Sequence, residues 1–490
     1  GATWTPTGLS FTVGQKVRVN RLLMDPNSAY QTIYAATTQG VYKTTDAGAN
    51  WTLITMTAFI DMEFQPGNPS TIYGSTEGSS GSYIYVSTDA GSNWTNTASF
   101  SGIRTELAVS YNQPSWVYAL VAASGGGLDG IYKSTNSGSS FTQVYSSATN
   151  NLLGWNCNGS GTGGQGSYDL CIAVDPNNAN DVYVGGVNTW KSTDGGSSFS
   201  IINHWTGCWS PNYAQNVHAD KHFLAFQNGT STLFECNDGG LYKSSDGGST
   251  WTHLSDGMAI SQIYRMGVGQ TQDGEVIIGL QDNGTKARLS GTWTDVIGGD
   301  GFEGIVDYTD ENVQYGALYY GDIYRTTNYW SSSTQITGSL PGSGWWCTPY
   351  LMDPADHNTL YVGYSDVWKS TNQGNSWTLI SNQGSSTDFR TMAISASNPN
   401  YIYAATLGNI YRTTSGGGAS QVWPGINGNL PLASNNITYI TVKDDDPNHV
   451  WVALGGYNND NVYETVDGGT TWNNISAGLP QLPVMCVIQN

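Results

Sequence analysis

The sequence predicts an all-β protein of about ten four-stranded units. Two observations predict it: one short segment recurs along the whole chain, and the runs between its copies have strand composition. The segment reads YKTTDAGANWT from Tyr42, YVSTDAGSNWT from Tyr85, YKSTNSGSSFT from Tyr132, WKSTDGGSSFS from Trp190 and YKSSDGGSTWT from Tyr242. It continues as YRTTNYWSSST from Tyr324, WKSTNQGNSWT from Trp368, YRTTSGGGASQ from Tyr411 and YETVDGGTTWN from Tyr463. Its key residues are Asp46, Asp89, Asn136, Asp194, Asp246, Asn328, Asn372, Ser415 and Asp467. They lie 43 to 58 residues apart, except that 82 residues separate Asp246 from Asn328. That gap holds a worn tenth copy from Val276 to Trp293. A fixed period of this length marks a repeat architecture.

Each unit reads as a short meander. In the first, VRVNRLLMDP, TIYAAT, GVYKTT and NWTLIT are strands one to four, rich in β-branched and aromatic residues and separated by Pro, Asn, Asp and Gly. The recurring segment is the turn between strands three and four. Its Asp or Asn bonds back to nearby backbone N–H groups, the Gly two positions on permits positive φ, and the Trp or Phe is an apolar plug between neighbouring units. Such a unit has one greasy face and must stack on others. Radial stacking of four-stranded sheets gives a β-propeller, here expected as a single domain over residues 1–490.

The segment resembles the Asp-box (BNR) repeat, S/T-x-D-x-G-x-x-W, over essentially the whole chain. Families with this repeat include sialidases, family 74 glycoside hydrolases, sortilin-type receptors and large secreted bacterial proteins. Ten units are most similar to the sortilin-type ten-bladed ring; two seven-bladed rings would need about fourteen. The resemblance implies a scaffold role for Asp46, Asp89, Asn136, Asp194, Asp246, Asn372 and Asp467. It also implies a secreted, extracellular or cell-surface bacterial protein. The F/Y-R-I-P run of sialidases is absent, which argues against that activity, as do the missing cysteine-rich modules against a sorting receptor.

Composition narrows the partners. The net charge is −20 with only 17 Lys plus Arg, which argues against nucleic acid, where affinity comes from neutralising phosphates. No stretch of eighteen apolar residues marks a membrane span. An acidic chain is compatible with calcium or another divalent metal. Six cysteines are too few for a disulfide scaffold. Cys157 and Cys171 flank the Gly-rich stretch NCNGSGTGGQGSYDLC and are expected to staple it. Cys208 and Cys236 are a second candidate pair, and Cys347 and Cys486 are expected free.

The two ends read as parts of one unfinished blade: ATWTPTG as a fourth strand, LPVMCVIQN as a first. Either the polypeptide continues past Asn490 or a neighbour completes the blade, since an open edge invites strand pairing and self-association.

Candidate site residues cluster where the repeat is weakest, residues 200 to 305. His218, Asp220 and His222 alternate in what reads as an inner strand, so they would share a face with successive side chains about 6.6 Å apart. Two of them with a third ligand would suit a metal; a hydrogen-bonded polar ladder is the alternative. Asp238, Asp282 and Asp300 sit in the Gly-flanked turns NDGG, QDNG and GGDG and, with Asp220, supply carboxylates of the kind glycoside hydrolysis uses in pairs. Trp205, Trp209, Trp345 and Trp346 are aromatic platforms for a sugar or protein ligand. Arg104, Arg265 and Arg390, and Arg18 likewise, fall near the starts of inner strands, where they suit a carboxylated ligand or pair with local acids.

Three functions follow. The first is a binding module for a glycan or protein ligand, the second a glycoside hydrolase acting on a polysaccharide, and the third a structural component of an extracellular assembly.

Overall fold

The structure, a computed structural model, describes every residue except 1, 2, 4, 206–213, 272, 273, 385, 386, 459 and 490. Among the described residues there is no α-helix, and the sole helical segments are two three-residue 3-10 turns, Val13–Gln15 and Tyr319–Gly321. The strands form ten meander sheets in chain order, antiparallel except for Gln215–Asn216, which pairs in parallel with Ser200–His204, a propeller-like all-β architecture. Eight have four strands, one has three and one gains a fifth. The chain divides into two compact units, Gly1–Ile260 and Ser261–Asn490, with five sheets in each.

The first sheet follows the sequence reading closely, with strands Val19–Met24, Ile33–Thr37, Gly40–Thr44 and Thr52–Thr55. Within the first unit, the opening strands of consecutive sheets contact one another: Val19–Met24 meets Asp61–Gln65, then Arg104–Val109, Cys171–Val174 and Lys221–Phe226. The core lies between sheets. Leu23, Tyr34 and Val41 of the first pack with Phe59, Met62 and Ile72, which belong to or precede the second.

The second strands carry a repeated tyrosine. Tyr34, Tyr73, Tyr118, Tyr183, Tyr315, Tyr361 and Tyr403 are all buried. Tyr34 donates to the Ala90 carbonyl at 3.0 Å and Tyr118 to that of Ala179 at 2.9 Å, each in the following sheet's segment. Burying one such ring removes about 200 Å² from water, an upper contribution of roughly 5 kcal/mol, and at Tyr34 and Tyr118 the hydroxyl keeps a partner.

The recurring turn closes as expected. Thr44 Oγ1 donates to Asp46 Oδ1 at 2.7 Å and accepts Gly48 N–H at 3.0 Å; the carboxylate accepts Asn50 N–H at 2.8 Å and its side-chain amide at 2.7 Å. These bonds hold the Asp46, Asp89, Asp194, Asp246 and Asp467 carboxyls down at about 2. Asn136 and Asn372 use the same acceptor oxygen, for Ser140 and Ser376 N–H. Beyond the sequence reading, the residue before the glycine is left-handed too, as at Ala47, Ala90, Ser137 and Gln373.

Departures have local causes. The ninth sheet keeps three strands, Thr391–Ile394, Ile402–Ala405 and Ile410–Thr413, with one isolated bridge from Tyr411 to Gly425 in place of a fourth. Ser415 is too short to span the turn, and the plugging ring comes later, as Trp423, whose indole donates to the Ile380 carbonyl at 3.1 Å. Neither end segment forms a strand among the described residues. Gly8 N–H instead bonds the Gly48 carbonyl at 2.7 Å, and Val484 N–H the Leu454 carbonyl at 3.2 Å.

Candidate ligand-binding site

The first unit contains a cavity of about 800 Å³ walled by first strands. Asp61, Glu63, Arg104 and Glu106 enter it from the second and third sheets and Arg21 from the first. Leu107, Val109, Ile172 and Val174 supply apolar wall, and Phe223 and His222 come from the fifth sheet. Strand alternation places Asp61 and Glu63 on one face, as it does Arg104 and Glu106. Arg21 Nε lies 3.2 Å from Asp61, and its terminal nitrogen pairs with Glu63. Arg104 forks onto Glu106 at 3.2 and 2.9 Å and donates to the Ser167 and Tyr168 carbonyls, each at 3.1 Å. Burial pushes Glu63 up to about 7, against Arg21 and with Asp61. Burial and the Asp61 charge push Glu106 up to about 8 against Arg104.

Of these lining residues, Arg104 and His222 were legible beforehand. Arg21, Asp61, Glu63 and Glu106 were missed. The available signal was charge at alternate positions inside strands that must be apolar, IDMEF and IRTEL.

Beside the cavity stands a polar group from residues 165–169, 220–222 and 238. His222 Nε2 lies 2.7 Å from Asp238 Oδ1, and Tyr168 donates to Asp238 Oδ2 at 2.7 Å. Gln165 donates to Asp220 Oδ1 at 2.8 Å. The expected alternation of His218, Asp220 and His222 fails. The strand starts only at Lys221, Asp220 has a left-handed φ of 62°, and His218 turns to its neighbour's carbonyl. The three do not form a metal-sized group among the described residues. His222 is raised by its bond to Asp238, and Asp220 by burial and then by Asp238.

Cys157 is disulfide-bonded, but Cys171 is not its partner: Cys171 is a buried free thiol. It opens a first strand and its sulfur packs over Gly185, where a Cβ would come within 2.6 Å, so it faces the sheet and not the Gly-rich loop. Cys236 is free as well, which removes the second pairing. Trp205 donates its indole to the Trp155 carbonyl at 2.9 Å, and both rings are exposed. Trp209 and Cys208 lie outside the described residues.

In the second unit the aromatics gather at the loops of the seventh and eighth sheets. Tyr319 stacks on Trp346 at 5.3 Å and 13°, and Tyr320 meets the same ring edge-on. Arg390 lies 3.0 Å from the Trp345 ring centroid. Trp345, Tyr319 and Tyr320 are 38, 38 and 49% exposed; the half-buried Trp346 anchors the two tyrosine rings, and Trp345 stands open next to it in the chain. Tyr320 has φ 62°, and its N–H reaches the Trp346 carbonyl at 3.2 Å. Arg265 pairs with Glu303 at 3.6 Å and covers Tyr439; burial pushes Glu303 up to about 7. Asp282 N–H donates to Asp300 Oδ1 at 2.6 Å, making Asp300 a turn-former. Arg18 is an exposed partner of Glu77 at 3.0 Å.

No helix among the described residues is long and apolar enough to cross a membrane. No protein-family model and no curated protein matches the sequence. Among solved structures, a GH74 enzyme of Niastella koreensis is 16% identical over 93% of this chain and 85% of its own, with a TM-score of 0.38. The GH74 xyloglucanase of Xanthomonas campestris is 15% identical over 94% and 80%, with a TM-score of 0.38. PorZ, a surface component of the type-IX secretion system of Porphyromonas gingivalis, is 13% identical over 93% and 58%, with a TM-score of 0.32.

Proposed function

We propose that the protein is a secreted or cell-surface binding propeller, a single Asp-box ring of sortilin type, whose aromatic shelf receives a glycan. The observation that carries this reading is the shelf of Tyr319, Tyr320 and Trp345. Flat, half-exposed rings stack on sugar faces at low entropic cost, and Arg390, seated over one face of the Trp345 ring, adds hydrogen-bond donors beside it. A bulky residue kept in a strained backbone region is a mark of functional sites, and Tyr320 is such a residue. The test is retention of the full chain on immobilised plant and algal polysaccharides. Retention that is lost in Trp345→Ala supports the reading. No retention on any glycan, or equal retention of the variant, sinks it and leaves a protein ligand.

A second reading, glycoside hydrolysis, is favoured by the cavity in the first unit. A carboxyl holding its proton near neutrality is what a general acid needs, and Glu106 and Glu63 fit that description. Against it, each of these acids is engaged by an arginine. Release of reducing ends by the wild type, lost in Glu106→Gln, would move this reading ahead.

A further inference from the structure

The sequence offers four arginines near the starts of inner strands, each suited either to a carboxylated ligand or to a local acid. The structure divides them. Arg18 pairs with Glu77 at 3.0 Å, Arg104 with Glu106 at 2.9 Å and Arg265 with Glu303 at 3.6 Å. Of the other arginines, Arg21 serves Asp61 and Glu63, while Arg288, Arg325 and Arg412 donate to backbone carbonyls. Arg390 is the exception. Among the described residues its guanidinium has neither an ion-pair nor a hydrogen-bond partner. What it meets is a ring, the Trp345 centroid lying 3.0 Å from its central carbon.

That charge is held in place and partly stripped of water. Phe389, fully buried beside it, donates its N–H to the Tyr364 carbonyl at 2.8 Å, and Arg390 N–H donates to the Ala405 carbonyl at 2.7 Å. Trp345 is fixed from its own side, since the Thr348 hydroxyl donates to its carbonyl at 2.6 Å. Burial holds Arg390 below the ordinary arginine pKa; Asp388 acts the other way but makes no ion pair with it. A cation that has lost hydration without acquiring a counter-ion is stabilised by an incoming anion. Arginine can give its face to a ring and its N–H edge to a carboxylate at once.

We infer that Arg390 reads a carboxylate and that the glycan of the shelf carries uronate residues, an inference that rests on the reading of the shelf as a glycan site. The net charge of −20 bounds the ligand further. A densely charged polyanion is repelled by the protein as a whole, so the fitting ligand has a mainly neutral backbone with spaced carboxylates. The open rings take its neutral sugars. The guanidinium, already fixed, selects the acidic one with little further ordering.

The test is affinity electrophoresis of the full chain in gels containing glucuronoxylan or partly methyl-esterified pectin, each also in a form whose carboxyls have been reduced to alcohols. At least one native polymer is expected to bind. Carboxyl reduction is expected to weaken that binding about 10- to 100-fold, the loss of one hydrogen-bonded charge. Arg390→Gln should weaken binding of the native polymer by the same factor and leave binding of the reduced one unchanged. Arg390→Lys should fall between, because lysine keeps the charge and loses the fork. The reduced polymers need no variant, so the test stands even if Arg390→Gln fails to fold. Equal binding of native and reduced forms, wild-type binding by Arg390→Gln, or binding confined to neutral plant and algal glycans would overturn the inference and leave the shelf a site for neutral sugars. Failure to bind any glycan would overturn the reading of the shelf itself, and this inference with it.

Discussion

Asp61 Oδ2 accepts the backbone N–H of Leu107 at 2.9 Å, binding a carboxylate on the first strand of the second sheet to the first strand of the third. Its other oxygen accepts Met62 N–H at 2.8 Å and faces Arg21 of the first sheet at 3.2 Å. One buried side chain thus ties three consecutive sheets at the wall of the cavity. Strong charge-assisted bonds of this kind are directional, so Asp61 fixes the angle between sheets as well as their contact.

Removal of Arg21 tests that tie. Asp61 is only 3% exposed, so Arg21→Leu leaves an uncompensated buried carboxylate. Breaking one side of a buried pair costs about 3–5 kcal/mol. Denaturant unfolding should show a loss of that order, with Arg21→Lys intermediate because Lys cannot serve Asp61 and Glu63 as a fork. A loss under 1 kcal/mol would mean that the two backbone amides suffice.

The raised carboxyls set a pH dependence of known sign. Glu106 titrates at about 8 and Glu63 at about 7 in the fold, against an ordinary value of 4.5. The folded chain therefore binds more protons than the unfolded one between these values. Their contribution to stability is full below about 4.5 and is lost as pH rises through 7 to 8. Urea midpoints should fall across that window, and Glu106→Gln, which keeps a neutral side chain, should flatten the fall. A variant with the wild-type slope would assign the effect to other groups.

The fold was legible because the repeat writes its own turn. Thr44, Asp46, Gly48 and Trp51 each perform a local task that needs only short sequence separation, and the expected bonds are present. The cavity was mostly illegible. Arg21, Asp61 and Glu106 belong to three different sheets, and nothing local in VNRLLM, IDMEF or IRTEL says that they meet. Register also failed at one residue: the left-handed turn at Asp220 broke an alternation that His218 and His222 alone suggested. Cys171 illustrates the same limit, since its proximity to Cys157 along the chain says nothing of the face it occupies.

The recurring turn depends on its hydroxyl as well as its aspartate. Ser192 Oγ is buried, accepts Gly196 N–H at 2.9 Å and donates to Asp194 at 2.8 Å. Ser192→Ala strands a buried amide, which costs about 1–3 kcal/mol. Ser192→Thr should be nearly silent, because Thr44 and Thr465 make the same bonds in their own copies. The unfolding midpoints of the two variants check this. Equal losses would point to packing and not to the hydrogen bond.

Thiol labelling should separate the cysteines by burial. Cys486 is exposed and should react within minutes with an aromatic disulfide reagent in the native chain. Cys171 is enclosed, and burial raises its thiol well above the ordinary range, so it should react only on unfolding. Mass mapping after partial labelling tests the order. Early modification of Cys171 would show that the strand carrying it opens locally.

Tyr320 offers the sharpest link between backbone strain and function. A non-glycine residue held left-handed costs about 1–3 kcal/mol, while glycine enters that region freely. Tyr320→Ala removes the ring and keeps the strain; Tyr320→Gly removes both. The Gly variant should therefore be more stable than the Ala variant by about 1 kcal/mol, and both should lose glycan retention equally. Paired thermal unfolding and retention assays read the two effects separately. If Tyr320→Gly were as unstable as Tyr320→Ala, the backbone would not be strained there. If either variant still bound, the ring of Tyr320 would be dispensable and the shelf would reduce to Tyr319 and Trp345.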